Sequence, residues 1–280
     1  MLLATVLALS AAVLHAGWNF IAKRATGDRY MVLWAQFFMA GLMCLPLAIG
    51  NHILFGLPGK AYMFAALSGA VHLPYTWLLA KAYTVGDFSV SYPVARGGGA
   101  ALAAIGGVLF LSDQLTAWHV AGIVVIVGGL SLLAVGATGG NLVIALAVSL
   151  TIGVYSVFDA AGARTQLDTF AYIFATMVGG ALSNTIFGLS TGRRGDMTAV
   201  LRERWRPSVL TGAATAVTYG MVLVATQHAP LGYVTALRES SVVLAALVGW
   251  KYLGEGDHRR RITAAAIVTG GILLMVLGRA

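Results

Sequence analysis

The sequence predicts an all-α polytopic membrane protein: ten transmembrane helices, arranged as two inverted five-helix repeats around a central cavity. Three observations support this prediction, namely composition, the spacing of apolar runs and an internal repeat. Of 280 residues, 59% are hydrophobic and 10% are charged, whereas soluble domains carry charge on about a quarter of their residues. A single globular core cannot bury that excess of apolar side chains, so much of the chain is expected to face lipid.

Apolar runs of about 20 residues recur along the whole chain, and a helix of that length crosses ~30 Å of hydrocarbon. Polar residues, glycines and prolines separate these runs. The ten predicted spans are residues 2–22, 30–49, 61–82, 88–111, 116–136, 141–162, 168–189, 207–227, 232–252 and 261–279. The long join between spans seven and eight contains "TAVLRERW", which predicts a short amphipathic surface helix with Trp205 at the headgroup level.

An internal repeat appears when the chain is shifted by 142 residues, which lays residues 96–136 on residues 238–278. The ten identities are Arg96/Arg238, Leu102/Leu244, Ala103/Ala245, Ala104/Ala246, Gly107/Gly249, Leu111/Leu253, Gly128/Gly270, Gly129/Gly271, Leu132/Leu274 and Gly136/Gly278. This ordered set indicates a repeat of five helices. Because five is odd, the second copy enters the membrane from the opposite side. We therefore divide the chain into a first half, residues 1–137, and an inverted second half, residues 138–280.

The net charge of +8 is explained by membrane topology rather than by nucleic-acid binding, because the basic residues lie between the spans. Thirteen lysines and arginines fall in the gaps after spans one, three, seven and nine, and three fall on the other side. The positive-inside rule places the larger group in the cytoplasm. Both termini are then expected on the periplasmic side of a bacterial inner membrane. The first residues lack a basic region, so no cleaved signal peptide is expected.

Two segments carry a family resemblance. "YPVARGGGALAAIGGVLFLSDQLTAWHVAGIVVIVGGLSLLAVG" is echoed by "TALRESSVVLAALVGWKYLGEGDHRRRITAAAIVTGGILLMVLG". Each combines a small-residue helix, an acidic residue at its end (Asp113, Glu255) and a closing helix with "GG". This pattern resembles the EamA domain of the drug/metabolite transporter superfamily, in two copies over essentially the whole chain. The resemblance implies ten helices around a central cavity and the export of amino acids or other small metabolites. The overall appearance is similar to bacterial aromatic amino acid exporters of the YddG type.

Charged residues inside the spans are the first site candidates. An arginine at a helix centre costs about 2.5–3.5 kcal/mol on insertion scales, so Arg96 and Arg238 should face protein or water. Each is either a cavity cation for a substrate carboxylate, or a gate residue, or a structural arginine that holds unwound backbone. Glu239 projects about 100° away from Arg238 on a helix. It either carries a proton in coupled transport or pairs structurally with an arginine such as Arg96.

Polar and aromatic residues that share helix faces are the second group of candidates. His15, Trp18 and Asn19 lie on one face of span one, and Tyr155, Ser156 and Asp159 lie in span six. Tyrosines can line a site for flat solutes through stacking and hydroxyl hydrogen bonds, although packing explains any single one equally well. The full set of substrate-binding candidates is His15, Trp18, Asn19, Tyr75, Tyr83, Tyr92, Arg96, Tyr155, Asp159, Tyr219, Arg238 and Glu239.

The glycines and the single cysteine have packing interpretations. Gly99, Ala103 and Gly107 form a small-xxx-small ridge that permits close helix crossing. Cys44 lies within an apolar run, which favours packing over a disulfide or thiolate metal site.

These observations predict a secondary transporter that exports small metabolites by alternating access, with amino acids, including aromatic or hydrophobic ones, as the favoured substrates. An exchanger of phosphorylated or nucleotide-linked sugars and an exporter of cationic drugs are the alternatives. The sequence contains no ATP-binding motif, metal-ligand spacing or catalytic set. We therefore expect no enzyme activity, no cofactor and no metal. The expected partners are a small-molecule substrate and the lipid bilayer, with no nucleic acid, for a monomer or homodimer.

Overall fold

The computed structural model describes residues 1–24, 27–85, 88–133, 135, 139–165, 169–244 and 258–277, which are almost entirely helical. The helices are α1 Leu2–Arg24, α2 Arg29–Leu54, α3 Gly59–Val85, α4 Phe88–Leu111, α5 Ala117–Leu133, α6 Gly139–Ala163, α7 Thr169–Ser190, α8 Arg194–His228, α9 Leu231–Arg238 and α10 His258–Leu277. Residues 240–244 are also helical.

The all-helical, membrane-spanning class is confirmed. Within the described ranges, α2, α3, α4, α6, α7 and α8 are long and apolar enough to cross a membrane, and α1, α5 and α10 contain shorter apolar stretches. Large apolar side chains such as Val13, Leu146 and Ile186 point outwards and are exposed. Lipid would cover these side chains. The count of ten spans and the inverted relation of the halves stay predictions.

The predicted short helix before span eight is present as the first part of α8, which consists of two helices joined at a kink. Helix α8 has 35 residues, and only Arg204 departs from helical geometry, with φ −127° and ψ 22°. Pro207 explains this kink, because a proline ring clashes with the carbonyl four residues earlier and donates no hydrogen bond to it. Trp205, just after the kink, is half-exposed.

The described part of predicted span nine, residues 232–244, is helical except for one turn residue, Glu239, whose φ of −69° and ψ of −11° lie in the right-handed helical region. Helix α9 ends at Arg238, and Glu239 forms a turn before residues 240–244 become helical again. The Glu239 N–H donates to the Ala236 carbonyl oxygen at 3.1 Å, a bond across three residues that tightens the last turn. Residues 245–257, with Ala245, Gly249 and Glu255, lie outside the described residues.

Small residues allow α4 to pack closely on α6. A Cβ atom added to Gly99 would lie 2.7 Å from the Ile152 Cβ, and one added to Gly153 would lie 2.6 Å from the Leu102 Cβ. Ala103 is fully buried. The predicted ridge of small residues on α4 therefore serves helix packing, as does the buried Cys44.

Helices from the two predicted halves interleave rather than forming separate bundles. Helix α2 packs on α7 and α8, α3 on α6 and α7, and α1 on α8 and α9. Helix α4 packs on α6 and α9, and α5 packs on α10. The space enclosed between α1, α2, α3, α6, α8 and α9 holds the site described next.

Candidate functional site

A cavity with a volume of about 40 Å³ lies where these six helices meet. Small-molecule sites usually measure ~300–1,000 Å³, so the helices must move apart before a small molecule fits between them. The lining residues are His15, Trp18, Leu33, Gln36, Phe37, His72, Tyr75, Leu79, Tyr155, Thr215, Thr218, Tyr219 and Arg238. They come from both predicted halves of the chain.

Aromatic rings form one wall of the cavity. The His72 ring lies against Tyr155, with a centroid distance of 4.4 Å and an interplanar angle of 30°. Phe37, Tyr75 and Tyr219 meet the same imidazole edge-on at centroid distances of 5.7 to 6.0 Å. Edge-to-face and offset contacts are the favoured aromatic geometries. The wall is therefore a packed and ordered aromatic surface.

A second aromatic group comes from α1. His15 and Trp18, one helical turn apart, form a T-shaped pair with centroids 4.7 Å apart. Both line the cavity, as the shared helix face in the sequence predicts. Asn19 belongs to α1, but its side chain lies outside those that the structure describes.

Arg238 is the charged residue in the lining. It is 7% exposed and is the last residue of α9, where the helix breaks. Its Nε has no hydrogen-bond partner among the described residues, and no described carboxylate forms an ion pair with it. Because an unpaired buried charge is unfavourable, the guanidinium is well suited to bind an anionic group.

Arg96 is paired, unlike Arg238. Its Nε donates to Glu239 Oε2 at 3.0 Å and its terminal nitrogen donates to Oε1 at 2.7 Å. Both side chains are 3% exposed. The structure thus shows the structural pairing of Glu239 with Arg96, across the two halves. Neither residue lines the cavity. The opposite charges of Arg96 and Glu239 compensate each other beside it.

Three more lining residues carry buried polar atoms without a described partner. They are Trp18 Nε1, Gln36 Oε1 and Thr218 Oγ1. The Gln36 amide nitrogen donates to Thr215 Oγ1 at 2.7 Å, which fixes the amide between α2 and α8. Most buried polar atoms in native proteins are satisfied, so this concentration around one cavity is characteristic of a polar ligand site.

Asp159 lies behind the lining rather than in it. Its carboxylate accepts hydrogen bonds from the Tyr172 hydroxyl at 3.0 Å and from the Tyr219 hydroxyl. Tyr219 lines the cavity, so Asp159 connects to the cavity through that tyrosine. The residue is 1% exposed.

The structure brings together half of the predicted substrate-binding residues. His15, Trp18, Tyr75, Tyr155, Tyr219 and Arg238 line the cavity; Arg96, Asp159 and Glu239 are buried beside it. Tyr83 and Tyr92 belong to α3 and α4, but their side chains lie outside the described ones.

The sequence analysis missed the four polar lining residues His72, Gln36, Thr215 and Thr218. A signal existed for two of them. His72 precedes Tyr75 by three residues, on the same helix face, and Gln36 is a lone amide in an apolar span. The threonines carry no such signal, because threonine is common in membrane helices.

An ion pair lies beyond the cavity, where α6, α8 and α9 meet. Arg164 donates to Asp113 at 2.8 Å, and its Nε donates to the Thr226 carbonyl oxygen at 2.9 Å. The Leu231 N–H donates to the same carboxylate at 2.6 Å. Seven residues separate Leu231 from Arg238, so this cluster lies ~10 Å along α9 from the cavity.

A second ion pair lies at the opposite end of α8. Arg193 binds Asp28, which also caps α2 by accepting the N–H groups of Tyr30 and Met31. Burial raises the pKa of Asp28, but the Arg193 guanidinium and the two N–H groups outweigh this effect and lower the pKa from its usual value. Both side chains are partly exposed.

Metal-ligating side chains do not gather in threes or more anywhere in the described ranges. The site therefore offers hydrogen bonding, one cation and aromatic surface as its binding chemistry.

Residues 140–277 match the EamA-like transporter family, which corresponds to the second predicted half. A protein of known crystal structure shares the fold over 98% of both chains, with a TM-score of 0.74 and 16% sequence identity. No curated protein matches the chain by sequence. The family match covers just under half of the chain, and the likeness in fold extends over nearly all of it.

Proposed function

We propose that this protein is a secondary transporter that exports amino acids, with aromatic and hydrophobic ones preferred, by alternating access to the cavity. The observation that carries the proposal is the buried Arg238 guanidinium, which lacks a described carboxylate partner in a cavity lined by aromatic rings. A charge-assisted bond from a guanidinium to a carboxylate is roughly twice as strong as a neutral hydrogen bond.

The remaining lining fits the other parts of an amino acid. The aromatic wall around His72 and Tyr155 provides flat apolar surface for a side chain. Gln36 Oε1 is an unused acceptor suited to an ammonium group. The carboxyl group of Asp159 lies behind the lining, at the Tyr219 hydroxyl. A zwitterionic amino acid with an aromatic or apolar side chain fits the aromatic wall, the Gln36 acceptor and the nearby Asp159 carboxyl group.

The two alternative substrate classes fit the described lining less well. Phosphorylated sugars carry about two negative charges per phosphate and favour several cations, whereas Arg96 is neutralised by Glu239. Cationic drugs would meet the charge of Arg238 in a cavity of low dielectric constant, where like charges repel strongly.

Alternating access draws support from how the halves connect. The three ion pairs Asp28–Arg193, Arg96–Glu239 and Asp113–Arg164 each join a residue of the first half to one of the second. The outer two lie at opposite ends of the cavity and the buried one beside it. Breaking one outer pair at a time would open the cavity to one side at a time.

The packing also supports the inverted repeats. In the predicted repeat each helix corresponds to the helix five positions later, so α1, α2 and α3 correspond to α6, α7 and α8. The α2–α8 contact then corresponds to α7–α3, and the α1–α8 contact corresponds to α6–α3. All four contacts occur. The proposal retains a bacterial inner membrane location, both termini on the periplasmic side, and a monomer or homodimer.

Transport by purified protein in liposomes tests the function. We expect uptake of labelled aromatic or branched amino acids above that of empty liposomes, with weak competition by sugar phosphates and quaternary ammonium compounds. Preferential competition by sugar phosphates would instead support the exchanger. Competition by the ammonium compounds alone would support a drug exporter.

A further inference from the structure

The His72 ring is fixed in one orientation by α3. Its Nδ1 lies 2.8 Å from the Ser68 carbonyl oxygen and 3.3 Å from Ser68 Oγ. The ring also stacks on Tyr155 and meets Phe37 edge-on. These contacts on both sides leave the imidazole no room to turn over.

This hydrogen bond determines which nitrogen carries the proton. A carbonyl oxygen only accepts, so Nδ1 must be the donor. In the neutral imidazole, Nε2 then carries a lone pair and is an acceptor. No hydrogen bond to Nε2 occurs among the described residues, and His72 lines the cavity. His72 Nε2 is therefore a hydrogen-bond acceptor in the aromatic wall.

A single amino acid can contact this acceptor and Arg238 together. The two residues line the same cavity and are close enough to interact electrostatically. If the carboxylate binds Arg238, the side chain extends towards the wall formed by His72 and Tyr155. An aromatic side chain in that position would place its edge towards the His72 ring.

We propose that His72 is a specificity-determining residue that favours aromatic substrates with a ring N–H or O–H donor, such as tryptophan and tyrosine, over phenylalanine. This inference rests on the proposed amino acid transport. A ring without a donor would cover Nε2 and leave a buried acceptor unsatisfied. Sites built to hydrogen-bond a substrate group discriminate strongly against the analogue that lacks it. The expected preference for tyrosine over phenylalanine is about 10- to 100-fold in affinity.

Competition in proteoliposomes tests this inference. Tyrosine and phenylalanine, and tryptophan and naphthylalanine, differ mainly by the ring donor, so the ratio of their inhibition constants is the readout. We expect both ratios to favour the donor in the wild type and to approach one in His72→Phe, which keeps a ring and removes the acceptor. Phe64→Leu is the matched control, because Phe64 lies on the same helix, contacts Phe158 and does not line the cavity; its ratios should stay as in the wild type.

The outcomes separate the two proposals. Wild-type ratios near one, with both members of each pair transported, would overturn the role of His72 and leave amino acid transport intact. Ratios that persist in His72→Phe would overturn it as well. If none of the four compounds binds, the proposed function and the inference both fail. If His72→Phe does not fold, the two ratios of inhibition constants in the wild type alone test the role of His72.

Discussion

Glu239 holds the guanidinium of Arg96 by two parallel hydrogen bonds of 3.0 and 2.7 Å, while Arg238, its neighbour in sequence, has no described carboxylate partner. Two arginines at repeat-related positions thus have different environments. Arg96 forms a structural ion pair between the two halves, and Arg238 lines the cavity.

The Arg96–Glu239 pair should be required for stability. Removing one partner of a buried ion pair costs about 3–5 kcal/mol, because the other charge remains buried alone. Arg96→Met should therefore lower the thermal unfolding temperature in detergent markedly. The double variant Arg96→Met/Glu239→Leu should recover much of the loss. If the double variant were as unstable as the sum of both single variants, the pair would not be the cause.

Glycine 69 should tolerate no side chain. A Cβ atom there would lie 2.8 Å from the Gly179 carbonyl carbon, so Gly69→Ala would force α3 and α7 apart, at a cost of about 1–3 kcal/mol. A lowered unfolding temperature in detergent would show this. Gly128→Ala is the matched control, because nothing lies within 4 Å of its Cβ position. Equal effects of the two substitutions would contradict the described α3–α7 packing.

The Asp113–Arg164 pair should control access to the cavity from one side. We expect Asp113→Asn to speed the reaction of a cysteine at Thr218, in a Cys44→Ala background, with an impermeant thiol reagent added outside cells. Glu203→Gln, which changes an exposed carboxylate in the first part of α8, should have no effect.

An unchanged rate in Asp113→Asn from either side would contradict this gating role. A faster reaction only with reagent on the cytoplasmic side would keep the gate and reverse the predicted orientation.

The Asp28–Arg193 pair should contribute stability that depends on pH. Because the pKa of Asp28 is lowered in the folded protein, its contribution is full above the unfolded value of about 4 and disappears as the pH falls through the lower folded value. Asp28→Asn keeps a capping side chain but loses the charge. Its unfolding temperature should fall below that of the wild type at pH 7 by an amount equivalent to less than ~1 kcal/mol, since the pair is partly exposed.

This difference between Asp28→Asn and the wild type should vanish in strong acid. A difference that stays constant from pH 7 to pH 3 would show that the charge of Asp28 does not stabilise the fold.

Sequence patterns predicted what depends on local periodicity. Apolar run lengths located most helices within a few residues, and the shared face of His15 and Trp18 correctly placed both in one wall. The turn at Glu239 was not predicted, because "TALRESSVVL" contains no glycine or proline to mark it. The Glu239 carboxylate accepts hydrogen bonds from Arg96 on α4, a tertiary contact that no local pattern contains. His72 was missed for a similar reason, since its role depends on Ser68, Tyr155 and Tyr219, which lie on three different helices.

Binding of a labelled aromatic amino acid to purified protein, compared between the wild type and Arg238→Gln, tests the central claim most directly. Arg238→Gln should bind about 10- to 100-fold more weakly, because a charge-assisted hydrogen bond is lost, while its unfolding temperature without substrate should not fall. Equal affinity of the folded variant and the wild type would contradict the assignment of Arg238 as the carboxylate-binding residue.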